Sequence, residues 1–268
     1  MISHAPRGKI LFAITLLVAT AILSTGCGNP HQTQPSMAKV SPLKNSLQVV
    51  VVVSNDWDST TGTMECFSRE APDKAWKADS DKIPVNLGRS GLAWGRGLHG
   101  DPPLPGPIKH EGDGKAPAGV FELPMAFGYA PKKKATFVRL PYLALTKDIV
   151  GVDDVKSRRY NQIVLVDHLT AKDWNSCETM LRKDGLYEWG VVVNHNTSPI
   201  VPGAGSCIFL HIWKSSGKPT AGCTAMDRAE LIQLLGWLEP KAKPVLVQLP
   251  RSAYRQLCAC WNLPPDGR

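Results

Sequence analysis

The chain reads as a β-rich α+β domain, a mixed sandwich or open barrel with a few helices. Three observations lead there. Valine-rich and alternating apolar segments recur along it, glycine and proline crowd the stretches between them, and only two segments carry a helical signal. The chain has 268 residues, 43% of them hydrophobic, enough for one domain with a sizeable core once a leader is set aside.

The strand candidates follow in order. Residues 47–54 are almost continuous valine, the pattern of a strand buried on both faces. Residues 119–123, 162–168, 190–195, 207–213 and 244–249 are shorter runs of β-branched and aromatic residues bounded by turn formers. Residues 88–97 hold four glycines around Trp94 and read as a tight hairpin with that indole packed. The helix candidates are 174–183, which ends before Gly185, and 227–238. The second places Leu231, Leu234, Leu235 and Leu238 on one face, with Asp227 three residues before Glu230 as in a capping box. No internal repeat is present.

Residues 1–26 read as a targeting signal: Arg7 and Lys9, an apolar run over 10–23, then small residues up to Gly26 and Cys27. A glycine before a cysteine resembles the bacterial lipobox, although Leu23 lies four residues before Cys27 and Ser24 takes the usual leucine place. The expectation is a lipoprotein lipidated at Cys27, with plain secretion and an uncleaved anchor as the alternatives. Residues 27–45 are polar and proline-containing and read as a tether, which leaves 46–268 as the folded domain. The expected address is the cell envelope on its periplasmic side. Gly28 after Cys27 favours the outer membrane in a Gram-negative cell.

Without the leader, 29 basic residues stand against 23 acidic ones, a net charge of +6 that suits an anionic envelope polymer. Basic runs with interleaved aromatics are missing, so nucleic acid is not an expected partner. Lys132, Lys133 and Lys134 read as a solvated loop. Cysteines stand at 27, 66, 177, 207, 223, 258 and 260. With Cys27 lipidated and Cys223 kept as a thiol, five remain, enough for two bridges and one free thiol in an oxidising compartment. Neither a metal-ligand set nor a cofactor motif stands out, and Cys258-Ala259-Cys260 lacks a second ligand pair.

The chemistry concentrates in residues 207–226. His211 lies on an alternating strand, sharing a face with Phe209 and Trp213 while Ile208, Leu210 and Ile212 face the other way. Cys223 follows Gly222 after a loop, one turn before the 227–238 helix. A cysteine there is nucleophilic only if its proton is removed or its pKa lowered, and a histidine within hydrogen-bond reach does both. Amides around Gly222 and Cys223 at a helix start would hold an oxyanion. Taken singly, Cys223 reads equally as a buried hydrophobe or half of a disulfide, and His211 as a hydrogen-bonded core residue.

A strand histidine, a loop and then Thr220-Ala221-Gly222-Cys223 resemble the YkuD-type L,D-transpeptidases. The stretch 109–123, with Ala116-Pro117-Ala118-Gly119-Val120-Phe121, is similar to that family's Thr/Ala-Pro-x-Gly-x-Phe signature. The resemblance implies a cysteine enzyme of bacterial peptidoglycan, with Cys223 as nucleophile, His211 as base and acid, and the Gly222 and Cys223 backbone as oxyanion hole. Thr220 matches the motif's Ser/Thr and Gly222 its glycine. Ala221 stands where the family has a second histidine, Ile212-Trp213 where Gly-Ser/Thr follows the strand histidine, and Ala225 where Arg or Asn is usual. The group that orients the histidine is therefore unassigned. Expected substrate contacts are Thr220, Thr224, Trp213 and Asn196, the last from the 194–196 run that ends a valine-rich strand. The implied partners are peptidoglycan stem peptides, and the membrane through the N-terminal lipid.

Three functions compete at this stage. The leading one is an L,D-transpeptidase working through a thioester. A carboxypeptidase or amide hydrolase of the same fold is the second, and a peptidoglycan-binding lipoprotein without turnover the third. A disulfide-handling protein would need a Cys-x-x-Cys motif, which is absent.

Overall fold

The computed structural model describes residues 41–265. The signal, Cys27 and most of the tether lie outside the described residues. Eight strands lead: β1 (Gln48–Ser54), β2 (Thr61–Ser68), β3 (Lys77–Ala78), β4 (Ile83–Asn86), β5 (Leu92–Trp94), β6 (Ala116–Glu122), β7 (Ala126–Gly128) and β8 (Tyr142–Ala144). Then come β9 (Ile149–Val152), β10 (Gln162–Leu165), β11 (Cys177–Thr179), β12 (Trp189–Val192), β13 (Phe209–Ile212) and β14 (Thr224–Met226). Helix α1 (Arg228–Trp237), β15 (Val245–Pro250) and helix α2 (Arg251–Trp261) close the chain.

Twelve strands form one mixed sheet in the order β5-β6-β15-β1-β2-β4-β14-β13-β12-β7-β8, with β3 beside β2. A second sheet, β10-β9-β11, has three strands. The valine run of β1 is wholly buried because β15 pairs with it in parallel on one side and β2 antiparallel on the other. The large sheet is strongly curled. The Thr224 hydroxyl donates to the Gln248 carbonyl oxygen at 2.7 Å, although β14 and β15 are four places apart in the order. On a flat sheet that separation would be roughly 19 Å. At the far end the Asn194 amide donates to the Glu122 carbonyl and ties the chain after β12 back to β6.

All six strand expectations correspond to strands here, though β10 stops at Leu165, short of the expected 168. The expected hairpin over 88–97 is only a tight turn, with Gly88 bridged to Gly91, because β5 then pairs in parallel with β6; the Trp94 indole is packed as expected, 1% exposed. Helix α1 forms where expected and buries Leu231, Leu234 and Leu235, each contributing about 2 kcal/mol by area. Asp227 caps it by accepting from the Ala229 amide. It packs on β12 and β13, bracing the strand that carries His211.

Three other expectations are corrected. Residues 174–183 are not a helix: Cys177–Thr179 is β11, an edge strand held by β9. The five-residue stretch 41–45 belongs to the fold rather than the tether, because Leu43 is fully buried and its carbonyl accepts from the buried Arg69 guanidinium. No disulfide joins any of the six cysteines among the described residues. Cys66 lies in the core, Cys258 and Cys260 turn their sulfurs to carbonyls at the end of α2, and Cys177 faces solvent on β11. Lys132, Lys133 and Lys134 form one exposed 3₁₀ turn, in keeping with a solvated cluster.

Two histidines are built into this framework as neutral rings. His195 is 1% exposed, its Nδ1 accepting from the Arg96 amide and its Nε2 donating to the Ala204 carbonyl. Burial lowers it to about 3, and His99, which accepts from the Val120 amide, to about 4. Below the ordinary histidine value of 6.5 the unfolded chain binds protons that the native rings refuse. Stability is therefore fully present above 6.5 and is lost towards pH 4, by roughly 1.4 kcal/mol per pH unit for each ring. Thermal unfolding followed from pH 7 to pH 4.5 should show a steadily falling midpoint. A midpoint that stays level down to pH 5 would contradict it.

Candidate active site

The site forms where β13 and β14 pair in parallel, in the register Leu210 to Thr224 and His211 to Ala225. Cys223, one residue before β14, thus lies across from Phe209, and the Phe209 amide donates to its sulfur at 3.3 Å. Leu210 and Ile212 point into the main core. Phe209 and Cys223 belong to a second apolar cluster on the opposite face, as strand alternation requires. That face carries an aromatic floor: Phe127, Tyr187 and Phe209 meet edge to face at 5.1–5.6 Å between ring centres, and His211 stands 5.2 Å from Tyr187. Gly190, paired with His211, makes room for this floor, since a Cβ there would lie 2.2 Å from Phe127.

Asn86 holds the loop between the histidine and the cysteine. It is 1% exposed, its amide donates to the Ser215 and Lys218 carbonyls, and its oxygen accepts from the Gly217 amide. Its backbone pairs with Ala225 of β14. One buried carboxamide therefore pins the crossover loop between the parallel strands that carry His211 and lead from Cys223. Thr220 finishes the loop, donating to the Cys223 carbonyl at 2.6 Å and accepting from the Gly222 amide.

His211, Cys223, Gly222, Thr220 and Trp213 all line one cleft of about 580 Å³. Its other walls include Lys109, Glu111, Glu178, Arg182, Tyr187 and Cys207. His211 Nδ1 lies 2.7 Å from the Ile212 carbonyl. A carbonyl only accepts, so Nδ1 carries the proton and Nε2 is left as the basic nitrogen. The orienting group that the sequence left unassigned is thus a main-chain carbonyl. Burial depresses His211 to about 4, which keeps the ring neutral near pH 7. The same burial pushes the Cys223 thiol up to about 12, Glu178 adding in that direction while the Phe209 amide, Lys109 and Tyr187 act against it. The resting pair is a neutral thiol and a neutral imidazole.

Two expectations about Cys223 change. It does not open a helix: β14 separates it from α1, so a helix macrodipole is not what faces the thiol. Nor does it bond to His211 at rest, because its sulfur accepts from Phe209 and contacts the Cys207 carbonyl at 3.6 Å. Two expected substrate contacts are also displaced. The Thr224 hydroxyl is turned into the core onto Gln248. Asn196 is 1% exposed and spends its amide on the Val201 and Gly205 carbonyls, organising a loop.

The groups missed from sequence are Tyr187, Glu178, Arg182 and Lys109. The Tyr187 hydroxyl donates to Glu178 at 2.6 Å, and Arg182 bridges Glu178 and Asp184. Burial raises the Glu178 carboxyl despite these partners, and raises Tyr187 strongly. Glu178 was hidden because its segment read as a helix. Tyr187 carried only the signal of an aromatic with a polar tip just before a buried strand.

Two measurements probe this local order. Asn86→Ala removes three hydrogen bonds from a buried side chain to the loop backbone and should cost about 1–3 kcal/mol in urea unfolding, with loss of site integrity. Iodoacetamide at pH 7.5, with peptide mapping, should label exposed Cys177 well before Cys223. Equal rates would mean that the thiol is not held protonated.

No curated protein and no solved structure gives a significant match to the chain. A family model does: the L,D-transpeptidase catalytic domain, YkuD, over residues 59–247, from the turn before β2 to the middle of β15. That span contains the whole cleft. The chain belongs to the YkuD family of L,D-transpeptidase catalytic domains, which act on peptidoglycan.

Proposed function

We propose that the protein is a peptidoglycan L,D-transpeptidase that works through a thioester on Cys223. The observation that supports this best is one cleft holding the Cys223 thiol and a His211 ring whose Nδ1 is fixed by Ile212, so that Nε2 is free to take a proton. The donor is a stem peptide cut between its third residue, a diamino acid, and D-Ala at position four.

The steps follow from the neutral pair. Rotation of the Cys223 side chain away from the Cys207 carbonyl brings its S–H to His211 Nε2. As sulfur attacks the stem carbonyl, the thiol proton passes to Nε2 and the carbonyl oxygen becomes an oxyanion facing the Cys223 amide; the Gly222 amide, expected beside it, is held by the Thr220 hydroxyl. The C–N bond breaks, and the imidazolium gives its proton to the leaving amine of D-Ala. An acceptor amine then attacks the thioester, loses a proton to His211, and forms a new amide as the thiol is regenerated. With water in place of the amine the same cycle gives an L,D-carboxypeptidase. Thr220 fixes the Cys223 backbone, and Trp213 flanks the entrance. We place the protein on the periplasmic side of the envelope, anchored through lipid on Cys27 in an outer membrane.

Incubation with a carbapenem should give an acyl adduct by intact mass that Cys223→Ala abolishes. With muropeptides, His211→Ala should lower kcat by at least 10³ without unfolding the protein. Wild-type kcat/KM should lose activity in acid as His211 protonates near 4 and should be level from pH 6 to 9. Muropeptides left unchanged across donors and acceptors, with peptidoglycan still bound, would support the non-catalytic binding reading instead.

A further inference from the structure

Lys109 is a buried cation beside the nucleophile that the mechanism above does not use. Its side chain is 5% exposed yet lines the cleft. Its amide donates to the Trp94 carbonyl, anchoring the residue to β5. Its stem runs over Gly205, where a Cβ would sit 3.0 Å from Cε. At the tip, Nζ donates to Asp113 at 2.6 Å and to the His110 carbonyl at 3.1 Å. An ammonium has three N–H groups, and the third has no partner among the described residues. Nζ would lie 3.9 Å from a Cβ built on Gly222, which places it against the turn that presents Cys223.

The plain structural reading is an ion pair that closes the 109–115 turn. Asp113 does serve that turn, accepting from the His110 and Lys115 amides. Burial pushes its carboxyl upward, but those amides and Lys109 outweigh the effect and hold it below the ordinary range. Closing a turn does not explain why an ammonium is brought to the Gly222 backbone with one donor unspent, since leaving it so is costly in a buried position. The cleft's other cations are placed differently: Arg89 is exposed and reaches the Gly112 carbonyl, Arg182 is committed to Glu178 and Asp184, Lys214 and Lys218 are exposed, and β14 keeps the α1 N-terminus away.

We propose that Lys109 is a catalytic residue whose third N–H is directed at the negative charge developing beside Gly222 and Cys223, first on sulfur and then on the oxygen of the attacked carbonyl. This rests on the thioester reading above. It adds a full charge to a hole in which the Gly222 amide is already spent on Thr220, in a site where burial weakens the thiol as an acid.

The test uses Lys109→Met combined with Asp113→Asn, so that no buried carboxylate is left unpaired, with Asp113→Asn alone as the reference. Alkylation of Cys223 by iodoacetamide, read by peptide mass from pH 7 to 10, requires no muropeptide. The double variant should react about tenfold more slowly than the reference at pH 8, with Cys177 unchanged. In muropeptide turnover it should lose 10²–10³ in kcat at unchanged KM. Unchanged alkylation and kcat in a folded double variant would overturn the proposal. So would a raised KM at constant kcat, which would make Lys109 a binder of a ground-state anion. If wild-type protein turns over no muropeptide, the alkylation arm still decides the role of Lys109 at the thiol. If the double variant fails to fold, Lys109→Gln, which keeps N–H donors without charge, is compared with wild type. It should show the same slowing, and an unchanged rate would count against the proposal.

Discussion

The parallel pairing of β13 with β14 is the constraint from which the site follows. Its register sets Cys223 opposite Phe209, with His211 two residues further along the same face. A slip of one residue would turn the histidine into the core and bring Leu210 or Ile212 to the cleft. The pairing needs support, since β14 has only three residues and meets β4 at a single pair. Support comes from the Asn86 side chain, reaching from β4 into the loop, from α1 packed on β12 and β13, and from the Thr224–Gln248 bond across the curled sheet.

The electrostatics of the site come chiefly from water exclusion. The aromatic floor and short strands dry the region enough to keep both the thiol and the imidazole neutral. A preformed thiolate–imidazolium pair would be expensive in such surroundings. A neutral pair postpones charge separation until substrate supplies an acceptor for the electrons. In the proposed reaction, cations and amides around Gly222 matter most at the moment of attack, when charge moves from sulfur to oxygen.

Much of this was legible in the sequence. The alternating strand with His211 and the leucine stripe of α1 each carry a period, and the valine run of β1 carries β-branched residues at every buried position from 49 to 53. Cys223, His211, Gly222, Thr220 and Trp213 share the cleft because a single loop joins them. What could not be read had physical causes. The Ile212 carbonyl that orients His211 is backbone and leaves no residue signature. Strand β2 alternates through Thr61, Thr63 and Glu65 and draws its apolar partners from β1, so it lacks a run of its own. Glu178 sits on a three-residue edge strand inside a stretch with helix-forming composition, where tertiary pairing overrode propensity. Asn196 looked like a strand-end contact until a left-handed backbone, φ 55°, turned its amide into the loop.

The buried thiol also bears on chemical durability. Thiolates that solvent can reach attack peroxides and disulfides, and the first step of the oxidation ladder begins from that ionised sulfur. Cys223 is 9% exposed and held protonated, and its neighbour Cys207 is raised by the same burial. The burial that keeps the Cys223 sulfur protonated also makes it a poor target for sulfenylation. A sulfur held this way is protected by its own surroundings rather than by a reductant.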